Sequence, residues 1–205
     1  MARPRNAATD AAILDATRAA LVELGWSGLS MADVASRAGV AKTTLYRRWP
    51  GKSELVVDAV ATVFDSLELP DLGNLRDDLE GVVLSFGALL ERPETSAALL
   101  AVVGEAATDP ALQQRLRATV VDRQKHLVVT GRARAQARGE LPPDAADTAE
   151  TARVVDLLFD VIAGAVVHRC LISGGSVDRQ WAARFAALLL GGLAAMEATA
   201  QPNGE

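Results

Sequence analysis

The residues best suited to chemistry lie close together in this chain: Lys42, Thr43, Thr44, Tyr46, Arg47, Arg48 and Lys52, with Arg37 just before them. No acid interrupts the run from Arg37 to Lys52, although the chain as a whole carries a formal net charge of -5. Guanidinium forks can offer paired donors to guanine O6 and N7, or grip phosphate oxygens. Threonine hydroxyls can donate to phosphate or touch a thymine methyl, and tyrosine has the reach for a phosphate. This is a set for recognition, with no nucleophile or base pair in it. Charge patterning alone leaves a second reading open, a solvated basic face with no partner.

The elements that must position these residues can be read from their punctuation. Ser30 is a good N-cap, and Asp33 stands where a capping-box acid belongs, so a short helix is predicted after Ser30. Val34, Ala35 and Ala38 face inward, and Gly39 makes the turn. The next helix is predicted from about Ala41 to Trp49, where Pro50 ends it. Leu45 and Trp49 anchor that helix from one side and leave the cationic and hydroxyl side chains outward. Two short helices about a tight turn, the second cationic, form the arrangement that lays a helix in the DNA major groove. Upstream, Thr9 is expected to cap a first helix whose apolar face runs through Ile13, Thr17, Ala20, Leu21 and Leu24 until Gly25. Arg3 and Arg5 form a short basic arm before it. A fourth helix opens near Lys52 and Ser53, and its first amides with Lys52 make a phosphate site.

Beyond Leu67, Glu68–Asn74 reads as a turn-rich linker. Helices are then predicted over Leu75–Leu90, Pro93–Ala106, Pro110–Ala137, Asp147–Leu171, and from Ser176 or Asp178 to about Ala198. Aromatics are only 4% of a chain that is 50% apolar, and no run alternates with period two, so the fold class is all-α. A single cysteine, Cys170, excludes an intrachain disulfide framework. With His126 and His168 as the only histidines, no zinc-ligand spacing exists, and neither metal nor cofactor is expected. Asp156 and Asp160 share a helix face as paired carboxylates would, but no histidine or base completes a site; solvated acids are the better reading, and no enzyme is expected. The longest apolar stretch, Ala186–Met196, is too short to span a bilayer, and MARPRNAATDAAIL has no signal-peptide core. A cytoplasmic bacterial protein is expected, the bacterial origin suggested by abundant alanine and an excess of arginine over lysine.

The segments ILDATRAALVELGW and LSMADVASRAGVAKTTLYRRWPGKSELV resemble the N-terminal domain of TetR-family bacterial transcriptional regulators, over about a quarter of the chain. That resemblance implies a three-helix helix-turn-helix DNA-binding head, a fourth linking helix and a C-terminal helical bundle for ligand binding and dimerisation. It also implies that Lys42, Thr43, Thr44, Tyr46, Arg47 and Lys52 fall on positions that contact double-stranded operator DNA. Two residues depart from the pattern: Thr43 stands where glycine is frequent, and Trp49 where phenylalanine is usual. Later, RGELPPDAADTAE and GAVVHRCLISGGSVDRQWAARFAALLLGGL resemble the last helices of a TetR-type body. The expected division is a DNA-binding domain over 1–52, a linking helix and linker over 53–72, and a ligand-binding and dimerisation domain over 73–200.

Two apolar stripes on the last long helices suit a two-fold four-helix bundle between protomers of a homodimer. Leu158, Ile162, Ala165, Val166 and Cys170 lie on one, and Trp181, Phe185, Leu188, Leu189 and Gly192 on the other. Intrachain core is the competing reading for each of them. A cavity for a small apolar or amphipathic ligand is expected among Phe86, Leu89, Leu90, Leu100, Val103, Val120, Leu127 and Phe159, with Ser85 and His126 as polar handles; plain core competes here too. The expected function is a ligand-responsive repressor released from a near-palindromic operator. An activator or DNA-architectural protein of the same fold remains open, as does a dimeric small-molecule binder that does not read DNA.

Overall fold

Capping residues and glycines divide the chain much as their chemistry dictates. The computed structural model describes residues 7–144 and 148–200, and among these the structure is helical, with no strand. The basic arm at Arg3–Asn6, the predicted helix start at Asp147 and the tail after Ala200 lie outside the described residues. In order, the helices are α1 (Ala7–Gly28), α2 (Met31–Arg37), α3 (Lys42–Tyr46), α4 (Lys52–Phe64) and α5 (Leu75–Leu90). There follow α6 (Pro93–Ala106), α7 (Pro110–Leu116), α8 (Asp122–Ala137), α9 (Thr148–Val167) and α10 (Arg179–Ala200). Two π-helical turns, Arg117–Val121 and His168–Ile172, follow α7 and α9. Two compact units result: residues 1–66 with 89–124, and residues 67–88 with 125–205.

In the first unit α1 packs on α4 and α6, presenting Ile13, Leu14, Thr17, Ala20 and Leu21. Helix α1 is already under way at Ala7, so Thr9 lies inside it and does not cap it. Gly25, at φ +64°, kinks it where a stop was expected. Helix α4 buries Leu55, Val56, Val57, Ala59, Val60, Ala61 and Phe64, too many for one stripe, because α1, α6 and the α7 region all pack on it. Asp109 caps α7 by accepting from the amides of Ala111 (3.0 Å) and Leu112 (3.1 Å), with Pro110 at the first helical position.

In the second unit the stretch before α5, a linker by composition, is firmly held. Arg134 donates to the carbonyls of Leu69 (3.2 Å) and Pro70 (3.0 Å). The fully buried Asp78 accepts from the Leu72 amide at 2.6 Å and from Arg138 at 2.9 Å. Arg138 also pairs with Glu140, whose carboxylate accepts from the Leu75 amide at 2.6 Å. That amide, followed by Arg138, holds the Glu140 carboxyl below its ordinary value. Asp178 caps α10 by accepting from the Trp181 amide at 2.8 Å, which decides between the two starts expected for this helix.

Candidate nucleic-acid interface

Ser30 and Asp33 secure the start of α2: Ser30 Oγ accepts from the Asp33 amide at 3.1 Å and donates to the Asp33 carboxylate. Gly39, at φ +65°, turns the chain, and the Val40 amide reaches back to the Ala35 carbonyl at 2.9 Å. Helix α3 is shorter than its predicted span. It is regular over Lys42–Tyr46 and tightens into a turn, with the Arg48 and Trp49 amides both donating to Leu45 O at 2.9 Å before Pro50. Leu45 and Trp49 are buried, which orients the helix. Lys42, Thr43, Tyr46 and Arg47 are exposed together, and Thr44 is half-buried beside them.

Two of the seven cations and hydroxyl groups expected to meet DNA have partners within the protein. Arg48 pairs with Asp10 of α1, its side chain 13% exposed. Lys52, at the first position of α4, donates to the Trp26 carbonyl at 2.9 Å, its ammonium 4.7 Å from the Trp26 ring centroid. Arg37 pairs with Glu23 at 2.7 Å; its guanidinium holds the Glu23 carboxyl below the usual range, and the carboxylate raises Arg37 in return. Trp49 donates through Nε1 to Asp58 at 2.8 Å. Sequence reasoning missed Asp10, Trp26 and Asp58 because each partner is remote from the basic run and sits on another helix.

The residues expected at a dimer face differ in how far the protomer itself buries them. Leu158, Val166 and Phe185 are 6%, 0% and 8% exposed, so they belong to the protomer's own core. Ile162, Ala165, Trp181 and Leu189 are half-buried, with the Trp181 and Phe185 rings stacked 5.2 Å apart. Exposed apolar positions on α9 and α10 include Leu157, Val161, Gly164, Leu188, Gly191, Gly192 and Met196, of which Leu188 is 76% exposed. On α9, Val155, Leu158 and Val166 are buried within the protomer, while Leu157 and Val161 stand exposed beside them. Of the expected ligand-lining residues, Phe86, Leu89, Leu90 and Val120 are buried, and Leu127 and Phe159 half-buried. Ser85, Leu100, Val103 and His126 are exposed. They divide between the two units, Leu89, Leu90, Leu100, Val103 and Val120 in the first and the others in the second. The first unit has clefts of about 280 Å³, around Arg48, Trp49 and Asp58, and about 500 Å³, around Arg18, Val22 and Thr95. None of the expected lining residues borders either cleft.

A cationic helix held across a glycine turn from a capped helix has close counterparts. Residues 13–59 match the model of bacterial regulatory proteins of the tetR family, and residues 69–189 that of the tetracyclin repressor-like C-terminal domain. The chain belongs to the TetR family of bacterial transcriptional regulators. An uncharacterised HTH-type transcriptional regulator of Mycobacterium tuberculosis (strain H37Rv) is 34% identical over 163 residues, 78% of this chain and 75% of that one. A DNA-binding transcriptional repressor of Mycobacteroides abscessus, itself named TetR, is 30% identical over 85% of this chain and 87% of its own. The crystal structure of the TetR family transcription regulator SCO0332 superposes with a TM-score of 0.69 at 31% identity, covering 90% of this chain and 97% of that one. In this TetR-family chain, the matched head contains α2, α3 and the first half of α4, hence every residue placed at the interface above. Among the described residues no helix is long and apolar enough to cross a membrane, and no three potential metal-ligating side chains cluster.

Proposed function

We propose that the chain is a homodimeric repressor released from a near-palindromic operator by a small, mainly apolar or amphipathic ligand. The observation that carries this reading is the exposed cluster Lys42, Thr43, Tyr46 and Arg47 on a helix seated by buried Leu45 and Trp49. Lys42 and Tyr46 supply phosphate contacts, Arg47 reads a base edge, and Thr43 and Thr44 flank it. Lys52 adds charge beside the amides of the α4 N-terminus. Arg48, turned toward Asp10, is assigned to holding α3 against α1 and not to DNA. The functional division runs as head over 1–52, link over 53–72 and body over 73–200.

Self-association through Leu157, Val161, Gly164, Leu188 and the Gly191–Gly192 pair places two heads on a two-fold axis, which is what a palindrome requires. The repressor named among the relatives supports the sign of regulation. A ligand acts only by preferring a state whose heads are wrongly spaced for DNA, since equal affinity for both states shifts nothing. Linkage then requires DNA to weaken ligand binding by the same factor. Ligand titrations with and without the operator duplex test this: unequal affinities are expected, and equal ones would overturn the release mechanism.

A further inference from the structure

Asp58 on α4 and Asp65, the residue that caps the C-terminal end of α4, are seven residues apart, which places them on one face roughly 10 Å apart along the axis. Arg115 NH2 stands 3.4 Å from Asp58 Oδ1, and Arg123 NH2 stands 2.7 Å from Asp65 Oδ2. These arginines are eight residues apart, and on a continuous α-helix they would diverge by roughly 80°. The π-helical turn Arg117–Val121 lies between them. Its wider winding takes up about one residue and returns Arg123 to the side that Arg115 faces. The π turn is thus a register device that lets two arginines meet two acids on a neighbouring helix.

Asp58 has a second partner. Its other oxygen, Oδ2, accepts from Trp49 Nε1 at 2.8 Å. Trp49 ends the turn that follows α3, where Arg48 is pinned to Asp10. The end of the DNA-reading helix is therefore held by two acids, one on α1 and one on α4. Of these, Asp58 alone is also engaged from the α7 side, by Arg115. A phenylalanine at position 49 would lack the indole N–H, so this tie depends on tryptophan standing there.

We propose that Asp58 is a positioning residue for DNA reading: it fixes the tilt of α3 through the Trp49 indole, and Arg115 fixes Asp58. The proposal rests on α3 being the reading helix, as argued above. Asp58 itself touches no DNA, and its influence falls on base reading, which tolerates little displacement. Phosphate contacts made by flexible Lys42 and Lys52 follow the helix.

The test uses the full chain and the duplex that the wild-type protein selects from a random pool. Operator affinity is compared with affinity for a scrambled duplex at several salt concentrations. Trp49→Phe and Asp58→Ala are each expected to lower the operator-to-scrambled ratio by about fivefold, the effect of roughly 1 kcal/mol. The double variant is expected to lose no more than either single one. The salt slope for scrambled DNA should stay at its wild-type value, a readout that general destabilisation of the head would not spare. Arg115→Gln should give a smaller loss of the same kind, roughly twofold for an exposed pair. A wild-type ratio in Asp58→Ala, or losses that multiply in the double variant, would overturn the positioning role and leave DNA reading intact. A parallel loss on both duplexes with a fall in Tm would reduce Asp58 to a purely structural part, also against the proposal. Failure of the wild-type chain to select any motif would remove the DNA-reading premise itself.

Discussion

Gly87 and Gly104 are both helical glycines, and the structure predicts opposite outcomes for their replacement by alanine. A Cβ on Gly104 would meet nothing within 4 Å. Gly104→Ala therefore gains helix propensity without strain, worth about 0.5–1 kcal/mol. A Cβ on Gly87 would stand 2.5 Å from Val177 Cβ and 3.0 and 3.1 Å from its two γ carbons. Valine is branched at the contact and cannot swing away, and Val177 is itself buried. Overpacking of this kind costs about 1–3 kcal/mol, and the propensity gain offsets only part, leaving a net loss of about 1–2 kcal/mol. The two variants should thus differ by about 2 kcal/mol, or roughly 4–8 °C in Tm for a chain of this size. The assay is urea and thermal unfolding at one fixed protomer concentration, because dimerisation makes Tm concentration-dependent. Val177→Ala in the Gly87→Ala background should recover part of the loss. Equal effects of the two replacements, or no recovery, would refute the close approach of α5 to Val177.

Arg47→Ala should cost about 1–3 kcal/mol on the operator and relax preference at one base position, whereas Lys42→Ala should weaken all sequences alike and reduce the salt slope by about 1. Arg48→Ala should leave that slope unchanged, because Arg48 faces Asp10; electrophoretic or fluorescence titrations across salt would separate the three. Leu188→Glu should convert dimer to monomer in sedimentation, while the same charge at exposed Val129 of α8 should not. Glu23 and Glu140 have folded-state pKa values below their unfolded ones, so their contribution is complete above the unfolded carboxylate value and fades as pH falls through the folded one. Unfolding followed from pH 7 to pH 3 should therefore steepen below about pH 4.5, and Glu140→Gln should flatten that limb.

The helices were legible because their ends carry local chemistry. Ser30 with Asp33, Gly39, Pro93, and Asp109 with Pro110 each act within one turn of themselves, and the structure uses each in that way. What was illegible depends on residues distant in sequence. Arg48 finds Asp10 thirty-eight positions away, and Trp49 and Arg115 converge on Asp58 from opposite directions along the chain. Leu158 and Val166, expected on an outward face of α9, are buried within the protomer. A broad apolar stripe does not say which of Leu157 and Leu158 is needed at home. The π turn leaves no composition signal, yet it sets which arginines reach α4. The stretch before α5 reads as a linker by its Pro, Gly and Asp, while long-range bonds from Arg134 and Arg138 hold it in place.

Selection of duplexes from a random pool by the purified full chain, at near-physiological salt, tests the central claim most directly. The account predicts one enriched near-palindrome whose half-sites are spaced for two α3 helices on one face, with Arg47→Ala relaxing preference at one position of each half-site. Recovery of no motif, with all binding lost as salt rises, would contradict it.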